Sequence, residues 1–117
     1  MGSPPAGAVV LVPFPFSDLS QAKLHPAVVL ADAGREDRIL RQVTSIPYGD
    51  SRAVTLGQDA FATGSLRLTS YARPGKLFTA SSGLIVAQVG QLTSDALTRI
   101  IDVVIAILHA ASASSPR

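Results

Sequence analysis

The sequence predicts a mainly β protein (α+β) with one C-terminal helix, built as a small barrel or two packed sheets with a helix against them. Three observations lead there. Short β-prone runs recur at 9–12, 27–30, 38–44, 53–56, 65–70, 77–80 and 84–89, separated by proline, glycine and polar residues. Only after Thr93 does an apolar pattern run on long enough for a helix. The 117 residues are 47% hydrophobic and 15% charged, which suits one domain with a modest core and argues against disorder. No internal repeat or second domain is visible.

The stretch 8–30 organises the rest. A valine-rich run (9–12) is followed by a polar loop (17–23) and a second apolar run (27–30), which reads as two strands joined by a loop. Loops held by strands are where binding and chemistry concentrate. Pro13 and Pro15 lie two apart, so their missing donors fall on one edge of the strand. There the strand becomes an edge or leaves the sheet. Phe14 and Phe16 alternate with these prolines as core residues or as supports beneath the loop.

Further on, 31–37 reads as a turn around Gly34, and 38–44 as a third strand ending in Thr44-Ser45-Ile46-Pro47. Tyr48-Gly49-Asp50-Ser51 is a turn, 53–56 a short strand, and 57–64 irregular or a helical turn. In 65–70, Leu66 and Leu68 alternate with Arg67 and Thr69, the pattern of a half-exposed strand. Arg73-Pro74-Gly75-Lys76 is a turn before the last two strands, 77–80 and 84–89. Thr93 is a good N-cap, Asp95 suits the helix dipole, and Leu92 with Leu97 form a hydrophobic staple. Leu97, Ile100, Ile101, Val104 and Leu108 make one apolar face. Val103, Ile105 and Ile107 lie off it, so a second cover is expected, either a dimer partner or deeper burial within the monomer.

Formal net charge is +2 and the isoelectric point about 9.5, which permits a nucleic-acid partner without establishing one. Cysteine is absent, which excludes disulfides, thiol nucleophiles and thiolate metal sites. Residues 1–6 lack a basic start and an apolar run, so they read as a flexible segment and not a signal peptide. A single domain is expected over 7–109, with a flexible Ala/Ser/Pro-rich tail at 110–117. The most apolar late stretch, 100–108, contains Asp102 and is too short to span a bilayer. A cytoplasmic protein with no membrane association is expected.

Three motifs carry a family resemblance. They are Val-Val-Leu-Val-Pro-Phe-Pro-Phe-Ser-Asp (9–18), Lys-Leu-His-Pro-Ala-Val-Val-Leu (23–30) and Gln-Val-Thr-Ser (42–45). Together they resemble the MazF/PemK toxins of type II toxin–antitoxin systems. The likeness continues through Gly64-Ser65-Leu66 and the segment 70–78 to the C-terminal helix, covering about residues 7 to 108. It implies an SH3-like barrel of the kind also used by the CcdB toxin, and a homodimer. It implies a metal-independent endoribonuclease that needs no cofactor. Such an enzyme cuts single-stranded RNA with the substrate's own 2′-hydroxyl, leaving a 2′,3′-cyclic phosphate and a 5′-hydroxyl. The partners implied are RNA and a cognate antitoxin, whose acidic segment would lie over the RNA groove.

That chemistry needs a base, an acid and donors for the phosphorane. In the family pattern an arginine before the second strand and a threonine ending the third form the catalytic pair. Thr44 matches the threonine; read from residues alone it is more readily a strand-end threonine capping a turn. His25 stands at the arginine position. Arginine offers a permanent charge and a forked donor, whereas histidine as a residue type serves as both acid and base. Either His25 runs the proton transfers, or the exchange leaves a disarmed toxin. Ala8 departs too, where the family often has an aspartate.

The substrate-binding candidates are Phe16, Ser17, Lys23, Ser70 and Arg73; of these, Ser17 and Ser70 match family positions near the substrate. The segment 52–94 carries four basic residues (Arg52, Arg67, Arg73, Lys76) against one acid, Asp59, which suits phosphate. Tyr71 or Phe16 can stack on an unpaired base. The competing reading is a non-enzymatic module on the same barrel, binding an antitoxin or, like CcdB, gyrase. CcdB-type action depends on a C-terminal tryptophan, and this chain has none.

Overall fold

The valine run 9–12 lies inside strand β1 (Ala8–Phe14), and the second run lies inside β2 (Lys23–Gly34). A computed structural model describes residues 4–14, 23–45 and 52–113. After β2 come β3 (Asp37–Thr44), β4 (Val54–Leu56), β5 (Phe61–Gly64), β6 (Ser70–Ser81) and β7 (Ala87–Leu92), then helix α1 (Ser94–Ala113). Short 3-10 turns occupy Gln58–Ala60 and Ser82–Leu84. All pairings are antiparallel, in the order β4-β6-β3-β2-β1-β7-β5.

Chain length forces this sheet to curl. β4 and β5 are its two outermost strands, yet only residues 57–60 join them. Six inter-strand spacings would hold the edges of a flat sheet about 29 Å apart. The five Cα steps from Leu56 to Phe61 reach about 18 Å at most. The edges must therefore approach one another, and the sheet forms a nearly closed barrel.

Strand alternation sends side chains to two apolar clusters. Val9, Val28, Val43, Val54, Leu56, Ala72 and Leu92 pack with Ala96 and Ile100 of α1. Ala8, Val10, Val12, Ala27, Val29 and Leu40 form the second cluster on the opposite face, with Phe78, Ala80 and Ile85 against it. Arg41 is fully buried, opposite Val28 on β2 and Leu77 on β6.

The helix begins as its sequence requires. The Thr93 hydroxyl accepts from the Ala96 N–H at 3.1 Å, and the Thr93 carbonyl accepts from the Leu97 N–H. The helix continues to Ala113, past the point where the composition turns to alanine and serine. Ile101, Val104 and Ile107 stay half-buried while Ile105 and Leu108 are exposed. None of the described helices is long and apolar enough to cross a membrane.

Several segments differ from the sequence reading. Of the turn expected at 31–37, residues 31–34 belong to β2 and residue 37 to β3, leaving Arg35 and Glu36 as the turn. Residues 57–64 contain a 3-10 turn and a true strand, β5. Residues 65–69 are not a strand, although Leu66 and Leu68 alternate with polar residues. They link β5, at one sheet edge, to β6, second from the other. No strand slot is left for them; Leu66 packs on the core and Leu68 is exposed. The turn expected at 73–76 is instead a bulge within one long strand, β6: Arg41 pairs with Leu77, but Val43 pairs with Ala72. The last strand starts at Ala87 and not at Leu84, which closes a 3-10 turn.

Candidate active site

Pro13 opens the site. β1 pairs with β7 only as far as Leu11, then continues to Phe14 beside β2 alone. The proline edge thus frees one side of the strand where the loop departs. Val12 pairs with His25, and Pro26 marks where the β2–β3 ladder stops, at its last pair Ala27–Gln42. His25 and Thr44 each lie two residues beyond that last pair. Thr44 pairs with Tyr71 on β6, and Tyr71 pairs with Thr55 on β4.

Thr44, Tyr71 and Thr55 thus form one row across β3, β6 and β4, and Val12 and His25 pair across β1 and β2. Its face is set by its neighbours. Val43, Ala72 and Val54, the alternate residues, all pack under α1, so Thr44, Tyr71 and Thr55 face away from the helix. Ala27 and Val29, which share a face with His25, belong to the other cluster. His25, Thr44 and Tyr71 are half-buried and Thr55 is exposed. His25 and Thr44 are each engaged by neighbouring groups within the fold.

The remaining site candidates are scattered. Arg73 begins the β6 bulge and is half-buried. Lys23 starts β2, its backbone paired with Phe14. Ser70 lies on the other face: it pairs with Leu56, is 3% exposed, and its hydroxyl donates to the Leu68 carbonyl at 2.9 Å. That hydroxyl is committed to a turn and cannot reach the row. Phe16 and Ser17 lie outside the described residues. Ala8 is fully buried in the second cluster, where a carboxylate would need a partner.

Two residues on this face escaped the sequence reading as site residues. Thr55 sits in a three-residue strand with no motif. Gln42, one rung behind Thr44 on the same face, is masked by the irregular polar–apolar order of 38–44. Alternation counted back from Thr44 would have found it. A separate cleft of about 350 Å³, bounded by Gln58, Ser65, Arg67 and Thr69, contains none of the row residues.

No family model matches the sequence, and no curated protein does. Solved structures match closely in shape. MazF from Deinococcus radiodurans superposes with a TM-score of 0.73 at 20% identity, over 93% of this chain and 99% of that one. An endoribonuclease from a mycobacterial species gives 0.68 at 18%, over 93% and 94%. A mycobacterial endoribonuclease in complex with its cognate antitoxin gives 0.70 at 16%, over 93% and 96%.

The chain has a MazF-like fold. The agreement covers most of both chains.

Proposed function

We propose that this chain is the toxin of a type II toxin–antitoxin system. It acts as a metal-independent endoribonuclease that cuts single-stranded RNA by attack of the 2′-hydroxyl on the adjacent phosphate. The observation that carries the reading is the MazF-like fold, with His25 on β2 and Thr44 on β3 each two residues beyond the last pair of the β2–β3 ladder. His25 takes the 2′ proton and returns a proton to the leaving 5′ oxygen. The Thr44 hydroxyl donates to a non-bridging phosphate oxygen. Arg73 and Lys23 attract the backbone, and Tyr71 offers a stacking face.

Two partners follow. Similar structures include one bound to its cognate antitoxin, which supports an acidic antitoxin segment competing with RNA for this face. The exposed Ile105 and Leu108, beside half-buried Ile101 and Val104, support a homodimer closed over α1 in the cytoplasm.

The test is end-mapping of a long single-stranded RNA incubated in EDTA with the wild type, His25→Arg and Thr44→Ala. Cutting by the wild type that leaves cyclic phosphates and is lost in Thr44→Ala supports an active ribonuclease. Cutting by His25→Arg alone identifies a disarmed toxin that keeps the antitoxin surface. Cutting by neither sinks the ribonuclease reading.

A further inference from the structure

The β4–β6 ladder ends at a cleft. Its last pair is Leu56–Ser70, one step beyond Thr55–Tyr71. From there β4 runs on into Gly57 and Gln58, while residues 65–69 run in the opposite sense into β6. These two stretches, with Phe61, bound a volume of about 350 Å³. Thr69 is two residues from Tyr71, so at most about 7 Å of chain separates them.

The polar lining is of one kind. Gln58, Ser65, Arg67 and Thr69 all carry N–H or O–H donors and are exposed, and none of the lining residues is an acid. The one acid of the segment 56–69, Asp59, lines a different hollow with Thr93, Asp95, Thr98 and Arg99. The linker that carries Arg67 is pinned on both sides of it. The Ser65 N–H donates to the Val89 carbonyl at 3.3 Å, and Leu66 packs on the core. The Leu68 carbonyl accepts from the Ser70 hydroxyl at 2.9 Å. The donors therefore stand on a fixed backbone, which lowers the entropy lost when they close on a ligand.

We propose that this cleft is a phosphate subsite for the RNA strand, taking the phosphodiester of a nucleotide that flanks the one on Tyr71. Its place beside the scissile bond rests on the ribonuclease reading. The Arg67 guanidinium donates a fork to two non-bridging oxygens. The Ser65 and Thr69 hydroxyls donate to the same group. Such contacts set the register of the strand and read no base. They are made equally before and in the transition state, so they lower KM and leave kcat alone.

The test uses single-stranded 2′-deoxy oligonucleotides, which lack the attacking hydroxyl and are not cut. A hexanucleotide and a dinucleotide are titrated by fluorescence anisotropy against the wild type, Arg67→Ala and Thr69→Val over a range of salt, with thermal melts of each protein. Arg67→Ala should weaken the hexanucleotide about tenfold whatever its base sequence, and lower the salt slope by about 0.7, the value for one phosphate. Thr69→Val should weaken it about threefold. The dinucleotide, whose single phosphate takes the scissile position, should bind all three proteins alike. Unchanged affinity and slope in Arg67→Ala, an equal loss for the dinucleotide, or a loss that tracks a lowered Tm would overturn the assignment. So would an effect of Arg67→Ala on a polyglutamate peptide with none on the hexanucleotide. If the wild type cuts RNA and Arg67→Ala binds like it, this subsite falls alone. If neither the wild type nor His25→Arg cuts RNA while the length-dependent Arg67 effect remains, the ribonuclease reading falls and the phosphate subsite stands.

Discussion

Thr44 lies directly across the β3–β6 ladder from Tyr71, and the pair turns away from α1 while their neighbours Val43 and Ala72 are buried beneath it. The aromatic ring is therefore one strand spacing from the hydroxyl proposed to hold the phosphate. A base stacked on Tyr71 would set the nucleotide beside the scissile bond. Tyr71→Ala should raise KM about tenfold to a hundredfold, the range expected for losing one stacked base. Tyr71→Phe should leave both constants near wild type. Steady-state cleavage of a short oligonucleotide separates the two. A kcat loss in Tyr71→Phe would instead assign the phenol a direct role.

The β2–β3 turn is strained by its own side chains. Arg35 and Glu36 hold φ of 52° and 66°, the mirror-image turn that a two-residue hairpin requires. Neither residue prefers it, unlike Asn-Gly. The Glu36 carbonyl nevertheless accepts from the Ser82 N–H at 2.7 Å, so the turn is clamped from the side. The double variant Arg35→Asn, Glu36→Gly keeps that backbone bond and relieves about 1–2 kcal/mol of strain. A rise in Tm of about 5 °C is expected by calorimetry. A fall would show that the side chains, not the backbone, hold the turn.

Gly64 marks the tightest approach in the barrel. Its φ is +68°, and a Cβ there would overlap the Val89 carbonyl and come within 2.6 Å of Gly90 Cα. Those contacts are backbone and cannot swing aside. Gly64→Ala should cost about 3 kcal/mol or more, combining left-handed strain with forced separation of β5 from β7. Urea titration measures it directly. A midpoint within error of wild type would mean the β5–β7 edge is looser than the pairing of Gly64 with Gly90 implies.

Thr93 caps α1, and its side chain satisfies one of the first orphan N–H groups. Thr93→Ala should lose about 1 kcal/mol, and Thr93→Ser most of nothing, by chemical denaturation. Equal losses in both would move the credit from the hydroxyl to the methyl.

The exposed apolar residues of α1 give a test of assembly. Ile105 and Leu108 are 45% and 58% exposed, one turn apart on the helix. Leu108→Glu with Ile105→Glu should leave the fold intact and shift a homodimer to monomer in sedimentation. A monomeric wild type would assign the face no self-association.

Much of the barrel was legible before any coordinates. The valine runs, the exit of the chain at Pro13 and the cap at Thr93 are local, decided by side-chain branching, a missing N–H and a single hydroxyl. The strand-like alternation at 65–69 misled because alternation records what faces water, not whether a neighbouring strand exists to pair with. Ser70 and Tyr71 adjoin in the chain, yet one turns inward to bond the Leu68 carbonyl and the other joins Thr44. A period of two makes every strand residue a choice between two faces, and a bulge of a few residues, as at 73–76, resets that choice. The chain alone supplied the residue types and the local elements. Only the folded sheet decided that residues 44, 71 and 55 form one row and that Val12 pairs with His25. Register is a relation between strands distant in sequence, and it is fixed by which faces can be buried together.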